Sequence, residues 1–322
     1  MRLGKLENSE LEALILRKFH KVRPESLTTP RVGEDCAALN LDEDLAILSM
    51  DPITSAGDDR LGLLTVHVNC NDVVCMGAEP VALLVTLLLP PEYPEERIGH
   101  IADDLSAAAR QANVDIIGGH TEYTDAITRP ITCASVIARM PKGQKLMGLQ
   151  LGDDLIMTKG AGLEGTAILA QGYAERLSSL PAAYLLEAES YFDSLSVVKE
   201  GRIAAQNGAH AMHDITEGGV LGAAWELCYG AGLGLKLFEE SIPLSPVTRA
   251  VCAAAGIDPL RLLGSGSLLI GCKDGKAMVT ALRQENIPAA IIGKVTSGGI
   301  CFADGRPIPP PREDALYRAF QA

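Results

Sequence analysis

Short apolar runs with strand character alternate along this chain with segments of helical period, and Gly or Pro closes many of them. Residues 45–50 read as a strand, 63–76 as a helix stopped by Gly77, and 81–89 as an apolar strand ended by Pro90 and Pro91. Residues 95–113 carry Ile98, Ile101, Leu105, Ala108 and Ala112 at the spacing of one helical face. Residues 114–117 and 131–139 read as further strands. This punctuation predicts a mixed α/β (α+β) first domain. Residues 140–152 hold a proline and three glycines without a clear period, which places the boundary there and gives domains 1–145 and 146–322. The second part repeats the style, with strands at 155–158, 209–213, 267–272 and 289–295. Helices are expected over most of 181–207, over 218–229 and between the last two strands. The proline-rich stretch 307–311 is expected to run over the surface.

Composition narrows the class. Hydrophobic residues at 47% and charged ones at 21% suit a compact fold, while aromatics at 4% leave Ala, Val, Leu and Ile to fill the interior. No apolar run reaches the ~18 residues needed to span a bilayer. The first residues are polar and amphipathic rather than signal-like, so no membrane role and a cytoplasmic location are expected. A net charge of −13 argues against nucleic acid as a partner. It leaves open a polyphosphate bridged by divalent cations. The eight cysteines include no CxxC pair and read as reduced, buried thiols.

Four acidic clusters stand at expected element ends. They are Gly33-Glu34-Asp35-Cys36-Ala37-Ala38, Asp51 after its strand, Asn69-Cys70-Asn71-Asp72 followed by Met76-Gly77-Ala78-Glu79-Pro80, and His213-Asp214-Ile215-Thr216-Glu217-Gly218-Gly219. Asp72 lies among Val66, Val68, Val73 and Val74, too apolar a setting for a solvated face, so a cation or donors should await it. Each cluster also reads, singly, as a turn or helix cap. Converging carboxylates are the ligands magnesium prefers. Ile117-Gly118-Gly119-His120-Thr121 ends a strand with paired glycines and could turn backbone N–H groups toward an anion, or be a plain tight turn. Gly160-Ala161-Gly162-Leu163-Glu164-Gly165 matches GxGxxG without the acidic residue a dinucleotide site needs. No Walker-type loop and no GxSxG elbow occur. His210 and His213 read as packing residues.

In this order the clusters resemble the aminoimidazole ribonucleotide synthetase superfamily, which includes thiamine-monophosphate kinase, selenophosphate synthetase and the hydrogenase-maturation carbamoyl dehydratase. Asn71-Asp72 with Met76-Gly77-Ala78-Glu79-Pro80 is the most specific stretch. The resemblance implies two domains, an N-terminal mixed sheet that pairs with that of a second copy into a barrel and a C-terminal α/β sandwich. It implies ATP and Mg²⁺ as cofactors, bound in a cleft between the domains near the dimer contact. Asp35, Asp51, Asp72 and Asp214 carry over as metal ligands. Gly33, Asn71, Gly118, Gly119, His120, Thr121, Thr216 and Glu217 carry over to the nucleotide. Three departures stand out. His120 replaces an aspartate and removes one expected magnesium ligand, the sequence ends without the maturation protein's reactive cysteine, and no cysteine precedes Cys36 as selenophosphate synthetase requires. The implied activity is Mg-ATP-dependent transfer or release of the terminal phosphoryl group while a small acceptor is activated. The alternatives are a thiamine-monophosphate-kinase-like enzyme and a non-catalytic nucleotide-binding or partner protein.

Overall fold

A computed structural model describes Ser9, Leu27, Val32, residues 37–41, 44–54, 57–142 and 148–319, and Gln321. Gly33 and Asp35 lie outside the described residues. Apart from Ser9, Leu27 and Val32, these residues form two compact units, one within Asp35–Lys145 and one within Leu146–Ala322.

The first unit holds strands β1 (Ala37–Leu41), β2 (Asp44–Ile53), β3 (Glu79–Leu89), β4 (Asp115–Tyr123) and β5 (Ile131–Pro141), with helices α1 (Leu61–Cys75) and α2 (Glu95–Ala112). They make a five-stranded sheet in the order β1-β2-β5-β3-β4. Only β3 and β4 run parallel, joined by the α2 crossover. Along β2 and β5 buried and part-exposed residues alternate, so one face is covered and the other is open. The covered side is hydrophobic: Ile47, Leu83 and Val136 are fully buried, each contributing about 1.5–3 kcal/mol. Helix α2 turns Ile101, Leu105, Ala108 and Ala112 inward, whereas α1 is buried on every side except at Cys75. The two helices meet at Gly62, where a Cβ would come within 2.4 Å of the Leu105 backbone nitrogen.

Two expectations change here. Asp51 lies inside β2, opposite Ala134, rather than after the strand. The strand expected to stop at residue 117 continues to Tyr123, so Gly118 and Gly119 are extended strand residues and form no turn. Glycine is needed at 119 for a different reason: a Cβ there would sit 1.8 Å from the Val85 carbonyl oxygen. The β3–β4 register shifts just before this contact, with Ile117 as the extra residue on β4 between the pairs Leu83–Ile116 and Leu84–Gly118.

The second unit holds a six-stranded sheet ordered β11-β8-β10-β6-β9-β7. Its strands are β6 (Asp154–Thr158), β7 (Ala209–Asp214), β8 (Gly234–Leu237), β9 (Leu268–Cys272), β10 (Ala289–Thr296) and β11 (Ile300–Phe302). Its helices are α3 (Leu163–Gly172), α4 (Ala182–Ser190), α5 (Val198–Gln206), α6 (Gly219–Gly230), α7 (Pro246–Ala255) and α8 (Gly275–Gln284). Strand β6 is buried on both faces, as a central strand between helical layers must be. Leu155 and Met157 join Val220 and Leu221 of α6, Leu235 and Leu269 in one core. Helix starts follow capping chemistry. The Ser245 hydroxyl accepts from Thr248 N–H beside Pro246 at the first turn of α7, and Asp274 accepts from Ala277 N–H at α8.

The segment 181–207 is mostly helical, as expected, with a 3-10 turn at Tyr191–Ser194 between its two helices. The carbonyls of Ser194 and Ser196 accept from the Lys159 ammonium at 2.8 and 2.7 Å, a use that a continuous helix would deny them. The proline-rich stretch is exposed at Pro309 and Pro310 but pinned by buried Ile308.

Candidate functional site

Helix α1 carries an unusual interior. Thr65, His67, Asn69, Asn71 and Asp72 are all buried within it, and Thr65, Asn69 and Asp72 recur at the spacing of one helical face. That face is bonded to the sheet. The hydroxyls of Thr65 and Thr132 share a 2.6 Å hydrogen bond. Asn69 Oδ1 accepts from Asp51 N–H at 2.9 Å, and the Ser49 hydroxyl donates to Asp72 Oδ2 at 2.6 Å. Asp72 is 3% exposed. Burial, with Asp72 adding to it, pushes the neighbouring Cys70 thiol up to about 12, so Cys70 is no nucleophile.

Strand register relates this corner to the 118–121 stretch. Asp51 pairs with Ala134, Ala134 with Val85, and Val85 with Gly119. Asp51 and Gly119 therefore stand in one row across four strands, about 14 Å apart at ~4.8 Å per step. Cross-strand partners share a face. The buried Ala134 and Val85 identify that face as the helix-covered one, and the row Ile53-Thr132-Leu87-Thr121 lies on it too. The row between them, Pro52-Cys133-Thr86-His120, belongs to the open face. Within one chain His120 thus points away from Asp51 and Asp72, and its Nε2 lies 3.1 Å from Glu122 Oε2. It is not placed where a missing aspartate would complete their ligand set.

In the second unit Asp214 ends β7, 2% exposed, and the chain turns through Thr216, Glu217, Gly218 and Gly219 into α6. The turn needs its glycines: both have positive φ, 84° and 63°, and a Cβ on Gly219 would meet the Leu260 carbonyl oxygen at 2.6 Å. His213 Nδ1 donates to the Asp214 carbonyl at 2.7 Å, while His210 pairs with Asp153 at 2.9 Å, so the two histidines serve separate contacts. Thr216 and Glu217 are half-buried, and Glu217 accepts from the Tyr317 hydroxyl at 2.9 Å.

Two further carboxyls crowd this turn, and the sequence reading missed both. Asp314 Oδ2 accepts from Gly218 N–H at 2.6 Å, and its Oδ1 accepts from Leu316 N–H at 2.8 Å. Glu164, in the first turn of α3, is 5% exposed, and its Oε2 has no hydrogen-bond partner among the described residues. Burial pushes Glu164 up to about 7, with Asp314 and Glu217 adding to it. Burial likewise raises Asp314 to about 6, against its backbone donors. Both folded values lie above the ordinary carboxylate range, so the folded state holds more protons than the unfolded chain. Stability is then fully present below about pH 4 and is lost as pH rises through about 6 and 7. Glu164 alone should remove roughly 3 kcal/mol. Melting temperature measured from pH 5 to 8 should fall, and Glu164→Gln should flatten the slope. An unchanged slope in the variant would clear Glu164 of the effect.

Asp51, Asp72 and Asp214 offer only hard oxygen donors, which suit Mg²⁺ in kind rather than zinc. Among the described residues no three His, Cys, Asp or Glu side chains group closely enough to hold a metal by themselves. That is compatible with magnesium, which is commonly held by one or two carboxylates plus substrate phosphates. Among the described residues no helix is long and apolar enough to cross a membrane.

Comparison with known proteins covers almost the whole chain. The family model described as AIR synthase related protein, N-terminal domain, matches residues 33–140, and its C-terminal counterpart matches 150–304. Carbamoyl dehydratase HypE of Azotobacter vinelandii is 30% identical over 263 residues, 77% of this chain and 73% of its own length. Hydrogenase expression/formation protein HupE of Azotobacter chroococcum mcd 1 is 29% identical over 290 residues, 84% of this chain and 81% of its own. Among solved structures, AaThiL complexed with AMPPCP and TMP superposes with a TM-score of 0.75 at 19% identity, covering 97% of this chain and 98% of that one. Hydrogenase maturation protein HypE in complex with ATP gives 0.72 at 23% identity, covering 96% and 95%.

Proposed function

The chain belongs to the AIR synthase related family, and from that premise we propose that it is a Mg-ATP-dependent enzyme that transfers or releases the terminal phosphoryl group while activating a small acceptor. The observation that carries this reading is Asp72, a carboxylate kept inside a helix buried on nearly all sides and bonded to β2 through Ser49. A carboxylate is costly to bury, and a purely structural role at that point could be filled by an amide. Asp51, Asp72 and Asp214, with Asp35, would hold Mg²⁺, which when bound neutralises phosphate charge. Gly33, Asn71, Gly118, Gly119, Thr121, Thr216 and Glu217 would contact the nucleotide. The protein's own part is positioning and charge stabilisation. Support also comes from relatives: the HypE of Azotobacter vinelandii is a carbamoyl dehydratase, and one superposable HypE is complexed with ATP.

Mg-ATP at ~100 times its dissociation constant should stabilise the protein by roughly 2.7 kcal/mol, read as a rise in melting temperature. Phosphate release then separates an enzyme from a non-catalytic binder, which would show the shift without turnover. Acceptor-dependent turnover separates a kinase resembling the thiamine-monophosphate enzyme from an acceptor-free ATPase. His120→Asp should leave Mg²⁺ affinity within about twofold, since the register puts residue 120 on the open face. A stronger gain would mean that His120 reaches the ion after all.

The family resemblance also supports a homodimer. The open face of the first sheet exposes Met50, Val81 and Leu84, and every residue of edge strand β4 is exposed, Ile116, Ile117 and Tyr123 included. An apolar face and an unpaired edge of this kind invite a second copy. Light scattering should report twice the chain mass; a monomer would remove the barrel argument.

A further inference from the structure

The residues that follow β11 close a cavity of about 540 Å³ in the second unit, in the size range of small-molecule sites. Its lining includes the apolar residues Ile257, Pro309, Pro310 and Ala315 and three arginines, Arg261, Arg312 and Arg318. In a chain of net charge −13, three arginines around one hollow call for an explanation. Two acidic residues also line it, and both are engaged. Asp258 Oδ1 accepts from Leu260 N–H at 2.9 Å, and Glu313 Oε2 accepts from Arg318 Nε at 3.3 Å. Arg261 is less well provided. Among the described residues its fork of five N–H groups has one hydrogen-bond acceptor, the Pro309 carbonyl at 3.2 Å. Arg312 has no partner among the described residues.

We propose that this cavity binds a small organic anion, an apolar body carrying a phosphate or carboxylate group held by Arg261 and Arg312. The guanidinium fork matches the paired oxygens of either group, and the proline and isoleucine walls suit a ring or short chain. Partial burial pulls the Arg261 guanidinium down from its ordinary value despite Asp258, a desolvation that an incoming anion would offset. The inference does not depend on nucleotide binding elsewhere in the chain. The two features nevertheless share one residue: Gly218 lines the cavity and belongs to the turn after Asp214.

The test uses the full chain without ATP, titrated calorimetrically with phenyl phosphate, benzoate and neutral benzyl alcohol. Saturable binding of at least one anion, with none of the alcohol, is expected, and the stronger anion identifies the group. Arg312→Glu should weaken that binding by at least about tenfold, the scale of one lost charged hydrogen bond. Arg312 is exposed, so the variant should fold, which its melting curve checks. No saturation by ~10 mM, which would leave less affinity than a charged contact supplies, overturns the proposal. So does equal binding by Arg312→Glu, equal binding of the alcohol, or displacement of the anion by Mg-ATP, which would put the ligand in the nucleotide site.

Discussion

Lys159→Met should cost about 3–5 kcal/mol of stability, the scale of breaking a buried ion pair from one side. The Lys159 ammonium has three donors and uses all of them, on the carbonyls of Ser194 and Ser196 and on Glu200 Oε1 at 2.7 Å. Glu200 is 3% exposed. Burial lowers the Lys159 pKa while Glu200 pulls it back up, so the partner offsets part of the cost of burying the charge. A methionine fills the same space and leaves a buried carboxylate and two carbonyls unanswered. The residue also occupies a strained position, with φ of 50° just before Gly160, which only a well-determined surrounding sustains. Urea unfolding measures the loss. The double change Lys159→Met with Glu200→Gln should recover part of it by removing the stranded charge. A loss below about 1 kcal/mol would show that the pair is solvated and merely surface-like.

What the sequence disclosed tracks how local its signals are. Strands β2, β3 and β5 were legible as short apolar runs bounded by turn residues. Strand β1 (Ala37–Leu41) went unread, since alternate burial along β2 and β5 is set by the folded sheet and not by alternating residue types. Helix α2 was legible from apolar residues at the spacing of one helical face. The stretch 118–121 misled because paired glycines signal a turn in isolation, while here Gly119 answers a contact with Val85 on a neighbouring strand. The segment 181–207 is mostly helical, as its pattern indicates, and only the turn between its helices, whose carbonyls at Ser194 and Ser196 accept from Lys159, has no local sign. Asp314 gives no local sign at all: its role as acceptor for Gly218 N–H exists only once the chain has folded back. Glu164 is different. It stands in an otherwise apolar run, the very feature that singled out Asp72, and the same reasoning applied to residues 163–170 would have marked it.

Asp72→Asn should weaken Mg-dependent ATP binding by at least about tenfold, the scale reached even by outer-shell partners of bound metals, while leaving the fold intact. The fold survives because the change is isosteric. An amide oxygen at 72 can still accept from the Ser49 hydroxyl that now reaches Asp72 Oδ2 at 2.6 Å, and replacing a buried charge with an amide removes desolvation cost rather than adding it. What disappears is the negative charge on which a divalent ion depends. The two consequences separate in one experiment. Calorimetry with ATP plus Mg²⁺ should show the loss, ATP without Mg²⁺ should bind the variant no worse than the parent, and the melting temperature without ligand should be equal or higher. Ser49→Ala supplies the complementary case, because it removes the hydroxyl that orients the carboxylate while keeping the charge. It should weaken Mg-ATP less than Asp72→Asn does. Unchanged Mg-ATP affinity in Asp72→Asn would reduce this carboxylate to a structural tie between α1 and β2, and the enzymatic reading would lose the observation on which it rests.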